Sequence, residues 1–158
     1  MILKYLSFSI SVAFISWIAG MIMTEILKRR GYYDKLSNLS YIKSESANKY
    51  IGMGIFKWIV KNTFFKYFNP KLTLKNKVEI QRLQELRKEM TFSEISHLMA
   101  FCAMNVVAIL KITNGDYVFA LVIIAVNTLM NLYPSLLQQE NKRRIDKFLA
   151  KLMARQIQ

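Results

Sequence analysis

The sequence predicts an all-α membrane protein of about three transmembrane helices, with an interfacial aromatic and basic helix and a charged cytoplasmic helix between the first two spans. Three observations carry this. Apolar runs at Tyr5 to Ile26, Thr91 to Leu110 and Tyr117 to Leu137 are each long enough, at about 1.5 Å per residue, to cross about 30 Å of hydrocarbon. The 23 Lys and Arg outnumber the 10 Asp and Glu, and this basic excess borders the apolar runs. Only 5 Gly and 2 Pro occur in 158 residues, too few for a loop-rich architecture. The chain reads as a single membrane domain, 1–158, with spans at about 5–26, 91–110 and 117–137. A cytoplasmic or interfacial segment runs over 27–90 and a cytoplasmic tail over 138–158.

The first span starts after Lys4 and reaches Ala19-Gly20, a pattern that resembles a secretory signal peptide. The apolar character continues through Met23 and Ile26, however, with Glu25 near the border, and ends at Lys28-Arg29-Arg30. This predicts a retained anchor followed by a stop signal.

Between the first two spans the chain changes from polar, Ser37 to Asn48, to aromatic and basic, Tyr50 to Phe68. Phe56, Trp58, Phe64, Phe65, Tyr67 and Phe68 interleave with Lys57, Lys61 and Lys66, the combination suited to a helix at the headgroup boundary that ends at Asn69-Pro70. On such a helix Lys57 and Lys61 would hold lipid phosphates while Trp58 and Ile59 enter the acyl region; the plainer reading packs the helix on the spans with its lysines in water. Leu74 to Met90 is strongly charged, with Glu85 placed to pair with Arg82 or Lys88, and is expected to be a solvated cytoplasmic helix leading directly into the second span.

Charge sets the orientation. The segment from Leu27 to Met90 carries 15 Lys or Arg and the tail from Gln138 carries 6, whereas the turn from Ile112 to Asp116 has only Lys111 at its edge. The positive-inside rule therefore puts segment and tail in the cytoplasm of a multi-pass cell-membrane protein, with the N-terminus and the turn outside. Asn114-Gly115 is a tight-turn signal that folds the second and third spans into an antiparallel hairpin.

The polar residues inside the spans are the candidates for chemistry, because membranes exclude such groups unless they are used or paired. Glu94 and His97, the sole histidine, stand at i,i+3 and share a helix face. A histidine positioned by a carboxylate suits general-base catalysis, one nitrogen held while the other takes a hydroxyl proton. The same residues also read as a helix start, with Thr91 or Ser93 as the cap and Glu94 complementing the dipole. Asn127, Asn131 and Gln138 lie within about 40° of one another on a straight helix and form a stripe. Asn141 is further round, and Arg144 needs a bend that Pro134 can supply. The stripe would face Glu94 and His97 across the hairpin, or else simply join helices by hydrogen bonding. No metal is expected: a di-iron site needs two Glu-x-x-His elements and this chain has one. The single Cys102 permits no intramolecular disulfide.

Glu94-x-x-His97 together with Asn131-x-x-Pro134-x-x-x-Gln138-x-x-Asn141-x-x-Arg144 resembles the small membrane glycosyl-4,4'-diaponeurosporenoate acyltransferase family, over roughly Tyr50 to the tail and most specifically from Glu94 to Arg144. The resemblance implies transfer of a fatty acyl group to a hydroxyl of a glycosylated lipid. Under it His97 is the general base, oriented by Glu94; Gln138 and Asn141 hold the oxyanion or the sugar; and Arg144 binds a donor phosphate or acidic head. Asn131, Lys57 and Trp58 complete the expected substrate-binding set. No cofactor is implied, only an acyl donor such as acyl-CoA as co-substrate. Expected partners are membrane lipids, a lipid-linked acceptor and the acyl donor; a homo-oligomer is left open, and nucleic acid is not expected because the basic residues follow the membrane borders.

The alternative is a non-enzymatic membrane scaffold or subunit that binds lipid through its basic aromatic surface and a partner membrane protein through its polar stripe. An enzyme should lose turnover on His97→Ala or Glu94→Gln, whereas a scaffold should tolerate both and respond to small-to-large changes on its packing faces.

Overall fold

The computed structural model describes residues 1–38, 52–62 and 80–156, and every regular element among them is helical. In chain order these are α1 (Ile2–Lys28), α2 (Tyr32–Ser37), α3 (Met53–Asn62), α4 (Ile80–Thr113), α5 (Tyr117–Asn127), a π-helical turn (Thr128–Leu132) and α6 (Tyr133–Gln156). Three helical stretches are long and apolar enough to cross a membrane: Ile2–Lys28, Ile80–Thr113 and Tyr117–Ala154. Of the expected elements, the aromatic residues Phe64, Phe65, Tyr67 and Phe68, the Asn69-Pro70 stop and the start of the charged helix through Glu79 lie outside the described residues.

The helices are arranged for lipid. On α1 the buried residues are Ser9, Ala13, Ser16, Gly20 and Thr24, a stripe of small side chains at steps of three and four. The large ones, Phe14, Ile15, Ile18 and Ile22, are half or more exposed. Water offers no reason to bury serine and display isoleucine, but between helices in hydrocarbon association comes from close backbone packing, which small residues allow. The hydroxyls are satisfied locally, Ser9 donating to the Tyr5 carbonyl and Thr24 to that of Gly20, both at 2.7 Å. The closest approach is at Gly20, where a Cβ would fall 2.3 Å from the Ser96 carbonyl oxygen on α4. Four residues on, the Ser96 hydroxyl donates to Thr24 Oγ1 at 3.1 Å.

α4 and α5 form the expected hairpin. The chain reverses at Asn114-Gly115, with Gly115 at φ +79°, the left-handed conformation that glycine adopts without strain. Its amide bonds the Ile112 carbonyl and that of Asp116 the Lys111 carbonyl, closing the free end of α4. Ala13, Met104, Ala108, Ile123 and Val126 make the core here, and Tyr5 and Phe8 of α1 pack on Phe119.

Two expectations about the long helices change in detail. From Ile80 onward the charged segment and the second span are one uninterrupted α4, so Thr91 and Ser93 begin nothing and Glu94 lies well inside a helix, not at its cap. The bend expected at Pro134 takes the form of the π-helical turn just before it. Proline lacks an N–H and its ring crowds the carbonyl four residues back, and a widened turn accommodates both. Beyond the turn α6 runs back along α4, and Ile145 and Leu149 pack on Leu83. Glu85 pairs with Arg82 at 3.3 Å on the exposed side, as its spacing indicates.

α3 lies on α6, with Met53 among Leu136 and Leu137 and with Phe56 stacked on Tyr133 at 5.1 Å. Its other side displays Ile55 and Trp58, 69% and 65% exposed.

Candidate functional site

Polar side chains converge between α1, α4 and the α5–α6 rod on two levels. The first centres on His97. Its ring stacks on Trp17 of α1, with centroids 5.8 Å apart and planes 5° from parallel, and its Nδ1 is buried without a hydrogen-bond partner. Asn131 donates through Nδ2 to Asn127 Oδ1 at 2.9 Å and toward Met104 Sδ at 3.7 Å. Asn127 in turn donates to the Phe101 carbonyl at 3.0 Å and to Asn105 Oδ1 at 3.3 Å. Both asparagines are buried, at 0% and 1% exposure.

The second level centres on Glu94. Gln139 Nε2 donates to its Oε1 at 3.2 Å, Lys142 forms an ion pair with its Oε2, and the Ser135 hydroxyl donates to its backbone carbonyl at 3.1 Å. The Lys142 ammonium also donates to the Ser37 carbonyl at 2.8 Å, tying the end of α2 to the same cluster. The half-buried Tyr33 on α2 has its phenol pushed above the ordinary value by burial and by the carboxylates of Glu25, Asp34 and Glu94.

A charged rim lies beyond. Glu140 accepts from Lys57 of α3 at 2.5 Å and from Arg144 at 2.8 Å, both on Oε1. Arg87 grips Asp146 with Nε at 2.5 Å and Nη2 at 3.3 Å. The two-toothed geometry joins α4 to α6 here more firmly than a single contact would.

The arrangement departs from the sequence-based expectation in four respects. Among the described residues no hydrogen bond joins Glu94 to His97: the carboxylate is engaged by Gln139 and Lys142, and the imidazole stacks on Trp17. Glu94 faces Gln139 in place of Gln138, because the π-helical turn adds a residue to the rod and rotates everything after it by about 100°. The Asn131 stripe therefore continues as Ser135, Gln139 and Lys142. Gln138 and Asn141 are half-buried beside that line, with Gln138 Oε1 buried and lacking a hydrogen-bond partner. Lys57 is held by Glu140, which competes with any lipid phosphate for it, and Arg144 stays on the rim, its side chain 66% exposed.

Trp17, Ser135, Gln139 and Lys142 were not among the expected site residues. The i, i+4, i+7 spacing of Ser135, Gln139 and Lys142 is a signal in the sequence, but the shift in register that aims it at Glu94 is not. Among the described residues no group of three or more His, Cys, Asp or Glu side chains is placed to hold a metal ion.

A family model of glycosyl-4,4'-diaponeurosporenoate acyltransferases matches residues 29–151 of the chain. No curated protein and no solved structure matches. The matched region begins just after α1 and takes in the rim and, apart from Trp17, both polar levels.

Proposed function

Since the chain belongs to the glycosyl-4,4'-diaponeurosporenoate acyltransferase family, we propose that it is a membrane O-acyltransferase moving a fatty acyl group onto a hydroxyl of a glycosylated or other lipid acceptor, with His97 as the general base. One observation carries the assignment of the base: the only histidine lies in the polar zone between the spans with Nδ1 free of any hydrogen-bond partner. A buried nitrogen left unpaired gives up about 1–3 kcal/mol, a cost that is recovered when an acceptor hydroxyl donates to it.

In the reaction the hydroxyl oxygen attacks the carbonyl carbon of an acyl thioester while Nδ1 takes the hydroxyl proton. The carbon–sulfur bond then breaks, the departing thiolate takes the proton back from the imidazolium, and the products are an ester and a free thiol. The stacked Trp17 ring stabilises the transient positive charge on the imidazole. Gln138, with an open Oε1, and the neighbouring Asn141 are suited to holding sugar hydroxyls. At the rim Arg144 and Lys57, which share one carboxylate between two cations, would receive the phosphates of a donor such as acyl-CoA or an acidic head group. The positive-inside distribution puts this rim at the cytoplasmic face of the cell membrane. Glu94 serves the site through Lys142 and Gln139, by holding α4 and α6 in register.

The test is the lipid mass profile of cells with and without the protein. A new species heavier by one fatty acyl residue is expected, and it should fall by about 10²–10⁴-fold in His97→Ala. An unchanged profile, or full acylation by a correctly inserted His97→Ala variant, would return the protein to the scaffold reading.

A further inference from the structure

We propose that α1 is a working part of the site, with Trp17 as the positioning residue that fixes the plane of the His97 ring and so the direction from which an acceptor hydroxyl can reach Nδ1. The inference rests on the reading of His97 as base, and it takes the site beyond residues 29–151, the region that the family model matches.

The second torsion of a histidine side chain is broad and roughly two-fold, so packing must decide where the ring plane lies. The lone pair of an unprotonated ring nitrogen lies in that plane. A hydroxyl can therefore give its proton to Nδ1 only along the edge of the ring, and a ring free to rock sweeps that edge away from a bound substrate. The indole of Trp17 lies 5° from parallel to the imidazole with centroids 5.8 Å apart, an offset stack over one face of the ring. It holds the ring by that face and takes neither nitrogen, and Nδ1 is buried with no hydrogen-bond partner. A carboxylate or an amide would hold the ring by occupying a nitrogen, and a carboxylate would also bring a charge into the span. Beyond the charge it stabilises during the reaction, the indole thus sets the ring before the reaction begins.

α1 is seated for this contact at the adjoining residue. Ser96 precedes His97, and its carbonyl oxygen is the atom that a Cβ at Gly20 would meet at 2.3 Å. The Ser96 hydroxyl donates to Thr24 Oγ1 at 3.1 Å and Thr24 donates in turn to the Gly20 carbonyl at 2.7 Å, so two buried hydroxyls close a chain on the glycine that admits α4. Trp17, Gly20 and Thr24 stand at i, i+3 and i+7, on one face of α1. The height and rotation at which α1 meets α4 are therefore set one turn from the indole and one residue from the imidazole. Close backbone packing is what joins helices in hydrocarbon, and here it also delivers an aromatic face to the base.

The chain contains one histidine, so isotopic labelling of histidine gives the signals of a single imidazole. In lipid nanodiscs without substrate, the Cε1–H dipolar coupling of His97 should be near its rigid limit, and through-space magnetisation transfer should join the imidazole protons to an indole. Trp17→Leu should lose the transfer and the rigidity, whereas Trp17→Phe, which keeps an aromatic face, should keep the coupling near its rigid limit. In acyl transfer Trp17→Leu should lower kcat by about tenfold to about 10²-fold with KM little changed, and Trp17→Phe should restore turnover to near wild type. Phe8→Leu removes another aromatic contact of α1, that with Phe119, and should leave the coupling and kcat as they are. Absence of transfer between the two rings in the wild-type protein would overturn the proposal without any variant. A rigid imidazole or undiminished kcat in a folded Trp17→Leu would also overturn it, as would an equal loss of kcat in Phe8→Leu. An active His97→Ala would end the reading of the base and this inference with it, whereas an inactive His97→Ala beside an undiminished Trp17→Leu would end this inference alone.

Discussion

Lys142 on α6 and Glu94 on α4 form an ion pair whose side chains are 5% and 1% exposed. Two charges so deep are tolerable only because each has further partners: the ammonium donates to the Ser37 carbonyl and the carboxylate accepts from Gln139. The pair joins α4, α6 and the segment after α1 at one point beside the polar zone that contains His97.

Breaking the pair from one side should therefore be worse than removing it altogether. Lys142→Met and Glu94→Gln each leave a buried charge uncompensated and should destabilise the protein by about 3–5 kcal/mol, while the double variant should lie much nearer wild type. Thermal unfolding of the four proteins in one detergent measures this, and strictly additive losses would mean that the two groups do not sense each other.

Gly20 sets how closely α1 approaches α4. Even Gly20→Ala places a carbon 2.3 Å from a backbone oxygen that cannot turn aside, so the helices must separate, at a cost of about 1–3 kcal/mol. Separation would also weaken the Ser96–Thr24 contact and move Trp17 off the His97 ring. A fall in thermal stability together with reduced acylation is expected. Gly54, with open space around it, is the control, and Gly54→Ala should be neutral.

The outward face of α3 should lie in the interface of the bilayer. Trp58 is 65% exposed beside Ile55, and the chain has only 2 Trp, so Trp17→Phe leaves a single reporter. Its fluorescence should be quenched more by lipids brominated near the headgroup end of the acyl chain than by lipids brominated near the methyl end. Quenching by aqueous acrylamide alone would place α3 in water.

Orientation can be read with single cysteines on a Cys102→Ser background. Asn114→Cys in the α4–α5 turn should react with a membrane-impermeant maleimide on intact cells, and Lys147→Cys on α6 only after permeabilisation. The reverse pattern would invert the topology drawn from the basic residues.

The spans, the hairpin and the pairing of Arg82 with Glu85 were legible in the chain because each depends on local quantities: apolar length, a glycine that accepts positive φ, and a three-residue helical step. His97 and Asn131 were legible as candidates for a related reason, since polar groups stand out in runs that should have none. The partners each meets were not. A straight-helix projection put Gln138 opposite Glu94 and let Glu94 hold His97, whereas in the fold Glu94 is engaged by Gln139 and Lys142 and His97 stacks on Trp17.

By itself, the order of residues determined that this protein is helical, that it belongs in a bilayer, and which few polar side chains enter it, because solvation in hydrocarbon acts on each segment separately. Only tertiary structure decided which of those side chains meet. One widened turn ahead of Pro134 rotates the rest of α6, and the glycine contact that seats α1 brings Trp17 to the imidazole. Both depend on how one helix packs against another, and no periodicity within a single helix records that.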